Sequence, residues 1–516
     1  MARIALVSLY DFKSLGIRQV HAILKQQGHQ PVSIFFKESR LDRMTTPTEK
    51  EYELFYGLLE DTPFLFVGLS LRSTFAPVGK KVSDKLMADG HLVIWGGTHA
   101  TVAPEDAIDH AHAVCVGEGE DLILEVIERL QARKDLNGLS NLWVRDNGQV
   151  HKTEMRPLKE DLDALPAPWW EPEDCYYIEN GKLSEALPPG AMTSYDIMTS
   201  RGCFYRCAYC IHSILFDQCR DLGKYVRRRS PESVIAELED VLKLFPSVSR
   251  IRFWDDTFTF NLNWIERFTS AYRESIRLPF FCYTTPAMGK PKVLSLLKTA
   301  GLNYISMGIQ SGSERIRRDI YDRPVPDKAI INAAGVFNDL KLFPEYDLII
   351  DNPFETESDF AKSLDLLLKL PRPFKLNQHS LTYFPNYKIS EKALAAGYIE
   401  EEDLEHVRSK ALTRWHEVFD TAREPESVFW SNLYYLTQFK LIPRWLIRLM
   451  ARSRLLRVKA RHFNALLKFP GQMCERGRTV LFYIKERGMI RAFTGVCRKI
   501  LRHIRYRLNG NRHPTP

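Results

Sequence analysis

The chain of 516 residues contains no run of eighteen apolar residues, so no membrane-spanning helix is expected. It is poor in cysteine for a disulfide-built protein. There are nine, an odd number, and most are scattered. That excludes the dense, even framework of a small secreted scaffold and points to a reducing compartment, the cytoplasm. The opening Met-Ala-Arg-Ile-Ala-Leu-Val-Ser-Leu-Tyr has too short an apolar run for a signal peptide and reads as the start of a strand. Acidic residues are scarce in one place. Residues 440–516 hold 20 Lys and Arg against 2 Asp and Glu, net +18; the whole chain is +8, so residues 1–439 carry −10. A mildly acidic body with a strongly basic tail sets the tail apart as a binding element. Hydrophobic content is 45%, enough to build the two to four domains that the length suggests.

Against this scarcity, three cysteines crowd into one stretch, Arg-Gly-Cys-Phe-Tyr-Arg-Cys-Ala-Tyr-Cys, as Cys203, Cys207 and Cys210. Structural zinc sites and electron-transfer clusters usually close with a fourth protein ligand. Here no fourth cysteine stands at a fitting spacing; Cys219 lies nine residues on. Three thiolates can hold three irons of a cubane and leave the fourth open. The bland alternatives are three buried reduced thiols or part of a zinc site. The three-plus-open pattern resembles the radical S-adenosylmethionine (SAM) enzymes. The resemblance implies a [4Fe–4S] cluster on Cys203, Cys207 and Cys210, with SAM on the open iron.

Residues 3–9, 32–36, 64–70, 92–95 and 114–116 read as short buried strands with helical patterns between them, so a doubly wound parallel sheet is expected. Ligands of such sheets sit at the carboxyl ends of the strands. Three loops there draw notice: Tyr10–Gly16, the segment from Ser70 to Ser73, and Gly96-Gly97-Thr98-His99. Paired glycines permit close approach of a bulky ligand, or simply a tight turn. In this order, ahead of the cysteine motif, the loops resemble the cobalamin-binding domain of B12-dependent radical SAM enzymes. That resemblance implies cobalamin contacts at Lys13, Ser70, Gly96 and Gly97. It also has a departure. Where many cobalamin domains place a cobalt-ligating histidine, this loop reads Asp11-Phe12-Lys13-Ser14-Leu15-Gly16, and an ammonium is no metal ligand. Lys13 is then either a polar contact of cobalamin or a solvated lysine.

Residues 141–190 are polar and rich in proline and read as a linker. From Tyr195 strand and helix patterns alternate again, with six strands ending at Tyr383, which fits a partial (β/α)6 TIM-like barrel whose active residues belong at the carboxyl ends of its strands. Ser230 followed by Pro231 marks the start of a helix running to Leu244. By resemblance, Asp255 and Asp256 of Trp-Asp-Asp-Thr-Phe would hold the SAM ammonium, Ser306, Gln310 and Ser311 of Ser-Met-Gly-Ile-Gln-Ser-Gly would face SAM, and Tyr209 would lie by its adenine. A helix cap, an acidic surface loop and a core tyrosine are the plain readings of the same residues. Two family glycines are missing, with Asp351-Asn352 and Asn386 in their places. Arg227, Arg228 and Arg229 read either as an anion site at a barrel entrance or as a solvated run.

The expected organisation is a Rossmann-like cobalamin-binding domain over 1–140, a linker over 141–190, a radical SAM barrel over 191–398 and a basic helical region over 399–516. In the last, residues 441–458 place Ile442, Trp445, Leu446 and Leu449 on one helix face beside Arg444, Arg448 and Arg452, and residues 480–508 repeat the type. Such helices read as peripheral membrane contacts, as nucleic-acid arms less readily, or as a barrel cap. The resemblance implies reductive cleavage of SAM to a carbon radical and, with cobalamin, methylation of an unactivated carbon of a small-molecule or lipid substrate. It also implies an electron donor such as flavodoxin or ferredoxin. A cobalamin-dependent cyclase or rearrangement enzyme is the alternative. A methylthiotransferase fits less well, because only Cys115 and Cys175 precede the triplet. A cofactor-sensing module would have no use for three cluster cysteines.

Overall fold

The computed structural model describes residues 1–38, 45–60, 62–187, 192–404 and 424–458. Residues 1–422 form one compact unit and 423–516 another. The first unit contains two large sheets, one with a parallel centre and antiparallel edges and one parallel throughout. In the amino-terminal sheet the strands are β1 (Arg3–Leu9), β2 (Gln30–Phe36), β3 (Val67–Ser70), β4 (Val93–Gly96) and β5 (Ala113–Cys115), paired in parallel in the order β5-β4-β3-β1-β2. Their sequences are near-continuous apolar runs because helices cover both faces. Along β1, Ala5, Val7 and Leu9 enter one apolar layer while Ile4 and Leu6 enter the other. The period of two thus feeds two cores from one strand.

The stretch from 141 to 190 is not merely a linker. It supplies β6 (Leu142–Asp146), β7 (Gln149–His151), β8 (Cys175–Glu179) and β9 (Lys182–Ser184), which extend both edges to the order β7-β6-β5-β4-β3-β1-β2-β8-β9. Both new hairpins turn on Asn-Gly. Asn147 and Gly148 have φ of 47° and 79°, Asn180 and Gly181 of 54° and 67°. Two consecutive positive φ values are what a tight two-residue hairpin needs, and Asn-Gly is the strongest short-range signal for it. The proline content of the segment hid that signal. β3 also begins three residues later than expected, at Val67.

The second sheet is all parallel, in the order β10 (Tyr195–Ile197), β13 (Ile251–Phe253), β14 (Phe280–Thr284), β15 (Leu302–Gln310), β16 (Phe343–Ile350) and β17 (Lys375–Ser380). Between β10 and β13 a small ribbon pairs β11 (Ser200–Arg201) with β12 (Arg227–Arg228) in antiparallel fashion. Helices 231–244, 262–275, 291–300, 327–339 and 357–369 alternate with the strands, giving the partial (β/α)6 barrel. Ser230 caps its helix, with its side chain accepting from the Ser233 amide and Pro231 following. Phe253, Phe258, Phe268, Tyr272 and Phe280 form a dense aromatic contact between strands and helices.

The two sheets are joined by charge. Glu118, beyond β5, receives both Nη atoms of Arg227 at 3.0 and 2.8 Å and Arg201 Nη1 at 2.8 Å, and Glu120 takes Arg201 Nη2 at 2.5 Å. The arginine run is therefore neither an open anion site nor a solvated surface. Arg227 is bound to Glu118, Arg228 lies 3.4 Å over the Trp264 ring, and Arg229 meets Glu237 at 2.5 Å.

In the second unit, helices 425–437, 444–451 and 454–458 are described. The single helix expected over 441–458 is interrupted at Ser453, whose hydroxyl accepts from the Leu456 amide and restarts the turn. The helix expected over 480–508 lies outside the described residues. No described helix is long and apolar enough to cross a membrane.

Candidate functional site

The cysteine loop leaves β11 and crosses the carboxyl ends of the barrel strands. Its entry is tight. Gly202 has φ of 89°, and a Cβ there would run into the Tyr225 carbonyl oxygen, so only glycine fits. Cys207 is buried, while Cys203 and Cys210 are partly exposed, and all three are free thiols. Burial pushes Cys203 above its ordinary value and Cys210 up to about 12, so both favour the neutral thiol until a metal displaces the proton. Among the described residues no three His, Cys, Asp or Glu side chains converge as ligands of a single ion.

The donor set still fits an iron–sulfur cluster. It is three sulfurs, and a few neighbouring groups oppose the effect of burial on them. The Tyr205 and His212 amides donate toward Cys203 and Cys210. Arg323, nearly buried, donates from Nη1 to Cys207 Sγ at 3.6 Å and from Nη2 to the Gly308 carbonyl at 3.0 Å. Thiolate-directed hydrogen bonds and a nearby cation are what tune and hold such clusters. Sequence reading missed Arg323, which lies far along the chain in a loop without a motif.

Tyr209 packs against Tyr321, ring centroids 5.0 Å apart, and borders an apolar cluster of Ala208, Ile316, Ile349, Tyr387 and Ile389. The two expected SAM carboxylates separate. Asp255 is fully buried and accepts from the Thr199 amide at 3.1 Å, the Thr199 hydroxyl at 2.7 Å and the Ser200 hydroxyl. It ties β10 to β13 and has no surface to offer. Asp256 keeps an exposed edge and meets His212 Nε2 at 2.9 Å, while His212 Nδ1 lies 2.5 Å from the Tyr225 hydroxyl. The adjacent Thr257 hydroxyl is buried without a partner, an unused donor and acceptor next to Asp256. His212 is a second residue that the sequence did not mark.

Ser306 donates to Asp347 at 2.9 Å, and Ser311, fully buried, donates to Glu355 at 3.0 Å. Burial, opposed by the Ser311 bond and reinforced by Asp359, lifts the Glu355 carboxyl to about 8. Gln310 sits past a bulge in β15 with φ of 70°. The family glycines absent from the sequence are replaced conformationally. Asp351 and Asn386 adopt φ of 58° and 68°, the left-handed region that Asp and Asn tolerate best after glycine.

At the carboxyl edge of the first sheet, Lys13 Nζ donates to the Ser194 carbonyl at 2.8 Å and lies 3.8 Å from Asp196. It ties the loop to the barrel strand and is not a solvated lysine; burial lowers its pKa, with Asp196 opposing. Gly97 has φ of 87°, and a Cβ there would come within 2.8 Å of Ser70 Oγ. Its glycine is thus needed for the packing of β3 against β4. By contrast a Cβ at Gly96 would meet nothing nearer than 3.9 Å, and at Gly16 nothing within 4 Å, so the loop surfaces stay open to a large ligand. Both nitrogens of His99 are engaged, by Ser73 at 3.1 Å and Asp106 at 3.0 Å. The loops fit cobalamin as a surface for a macrocycle, and neither Lys13 nor His99 is placed as a cobalt ligand.

Residues 3–127 match the B12 binding domain family, and residues 197–367 match the radical SAM superfamily. An uncharacterized methyltransferase of Pyrococcus horikoshii is 30% identical over 305 residues, covering 57% of this chain and 61% of that protein. The chain thus spans about three-fifths of that relative's length. Among solved structures, the cobalamin-dependent SAM radical enzyme OxsB, with aqua-cobalamin and SAM bound, matches 96% of this chain and 84% of its own at a TM-score of 0.63 and 15% identity. The radical SAM methyltransferase TsrM of Kitasatospora setae, with tryptophan substrate and a SAM analogue bound, matches 77% and 76% at a TM-score of 0.60 and 13% identity. At such identities these two establish the shared fold.

Proposed function

Joining a B12-binding domain to a radical SAM domain, this chain belongs to the cobalamin-binding radical SAM proteins, and we propose that it methylates an unactivated carbon of a small-molecule substrate. The observation that carries the reading is the three-cysteine loop without a fourth ligand, set at the strand ends of a parallel barrel and held against the carboxyl edge of a B12-binding sheet by Glu118, Arg201 and Arg227. When bound, the cluster with SAM supplies a carbon radical, and cobalamin supplies the methyl group. Cys203, Cys207 and Cys210 would hold the cluster, with Arg323 balancing thiolate charge. Asp256, braced by His212, would accept from the SAM ammonium through its exposed edge. Gln310 and the Thr257 hydroxyl would add polar contacts. Lys13, Ser70, Gly96 and Gly97 would border the cobalamin.

Reconstitution under anaerobic conditions should give about four irons per chain, and Cys203→Ala, Cys207→Ala or Cys210→Ala should abolish the cluster. Reduction with SAM should then release 5′-deoxyadenosine, and isotope from the SAM methyl should appear in a product of the native host's metabolite pool. A full cluster retained in the cysteine variants would overturn the reading; 5′-deoxyadenosine with no labelled product would favour a cyclase or rearrangement enzyme. An electron donor of the flavodoxin or ferredoxin class would feed the cluster.

A peripheral membrane contact has its own support. Leu441, Trp445, Leu449, Leu455 and Val458 are exposed in the basic second unit. Burial of such side chains in a bilayer interface resists salt, whereas attraction to phosphate alone is screened. Flotation with anionic vesicles at low and high salt, with and without residues 439–516, tests it; full-length protein that ignores vesicles at low salt removes the reading.

A further inference from the structure

The barrel strands carry two very different faces. Ile251, Phe253, Phe280, Cys282, Ile305, Met307, Tyr346 and Leu348 alternate along β13–β16 and are nearly all inaccessible against the helices. The intervening positions form the inner face, and they sort by chemistry. On β13–β15 they include a run of aromatic rings, beside Arg252 and Ser306. Trp254 lies 5.6 Å from Tyr283, Tyr283 lies 4.9 Å from Phe281, and Phe281 lies 5.6 Å from Tyr304, ring centre to ring centre. Across from them, on β16 and β17, the same face carries Asp347 with Asn377 and His379.

Charge distinguishes one group on this face. Asp196 is answered by Arg252 at 2.5 and 2.6 Å, and Glu345 by Lys375 at 3.1 Å. Asp347 accepts from Ser306 at 2.9 Å and Asn377 at 2.9 Å, and its ion-pair neighbour among the described residues is the imidazole of His379, at 3.6 Å. Burial disfavours the Asp347 anion, but bonds from His379, Asn377 and Ser306 more than offset this and hold its carboxyl below the usual range. No Lys or Arg among the described residues is ion-paired with it. A second sign of a missing partner lies on β14's inner-face register. Thr285, two residues past Tyr283, is 4% exposed, and its hydroxyl has no hydrogen-bond partner. Access exists, since Trp254 is 38% exposed and the His379 side chain 63%.

We propose that this inner face is the subsite for a protonated amine joined to a flat apolar body, with Asp347 receiving the ammonium and the Trp254–Tyr283 wall packing the body. This names a substrate class and rests on the function proposed above. An ammonium completes the charge of Asp347, an aromatic wall adds cation–π attraction, and a carboxylate already ordered by Ser306 and Asn377 loses little freedom on binding. A carboxylic acid is repelled there, and an alcohol leaves the charge unanswered.

The probes are benzylamine, benzyl alcohol and benzoate, which share a ring and differ in charge. Dissociation constants are measured by calorimetry on cluster- and cobalamin-loaded protein. Benzylamine should bind at least tenfold more tightly than benzyl alcohol, and benzoate more weakly still. Asp347→Asn, which keeps the shape, the bond from Asn377 and, with the Ser306 hydroxyl turned to accept, the bond to Ser306, should erase the preference. Trp254→Ala should weaken amine and alcohol alike. His379→Ala, on the edge strand, should keep the preference for the amine. Absence of saturable benzylamine binding, equal binding of the alcohol, or a preference that survives Asp347→Asn or vanishes in His379→Ala overturns the proposal. Iron content and 5′-deoxyadenosine release are read on the same samples. A loaded, SAM-cleaving protein without amine preference sinks the subsite alone, whereas failure of loading or cleavage sinks the proposed function.

Discussion

Replacing Glu118 by Gln tests the charge clamp that holds the barrel to the first sheet. Burial opposes ionisation of Glu118, yet Arg227 and Arg201 pull its carboxyl from the ordinary 4.5 to about 2. A shift of that size corresponds to about 3 kcal/mol of preference for the charged form in the folded chain. Glutamine cannot answer two guanidiniums, and Arg227, with a side chain only 4% exposed, would be left as a buried uncompensated cation. Breaking one side of a buried pair costs about 3–5 kcal/mol. The expected loss is therefore about 3 kcal/mol at neutral pH, read as a lower urea midpoint at unchanged slope. The sign with pH follows from the depressed value. The contribution is complete above about pH 4.5 and disappears as pH falls toward about 2, so wild type and variant should converge in that window. A cycle with Arg227→Met should return a coupling energy of about 2–3 kcal/mol. A loss below about 0.5 kcal/mol, or a difference that persists below about pH 2, refutes the reasoning.

Gly202→Ala should lower iron content severalfold while far-ultraviolet circular dichroism stays native, because the strain falls on the cluster loop alone; an unchanged iron content would show that the loop tolerates a side chain. His21, buried beside Ser33 at 2.8 Å and stacked on Trp169, is driven by burial and by Lys25 down to about 3. It stays neutral in the fold while the unfolded chain takes up a proton, so stability should fall by about 2–3 kcal/mol between about pH 6.5 and pH 4.5, and His21→Phe should flatten that limb in urea titrations. Electron paramagnetic resonance of the cob(II)alamin-loaded protein should show no histidine nitrogen splitting, given lysine at position 13 and a fully engaged His99; a clear splitting would move the lower-face ligand elsewhere.

The two folds and their order were legible in the sequence because parallel strands under two helix layers must be apolar throughout, and the short apolar runs at residues 3–9 and 32–36, each bounded by turn signals, carry that signature. The cysteine triplet was legible too, since Cys203, Cys207 and Cys210 share one loop and their spacing is local. The Asn-Gly hairpins at 147–148 and 180–181 were present in the sequence but masked by the prolines around them. Other features depended on the folded chain. Asp255 and Asp256 are neighbours of one residue type, and only the closure of β10 against β13 buries one and leaves the other an edge. Arg323 meets Cys207 across 116 positions, and Glu118 meets Arg227 across 109. The Asp347 face exists because a two-residue period on several strands points unrelated positions into one space. Local spacing records what a single loop does; contacts between distant segments are set by packing, which no local pattern encodes.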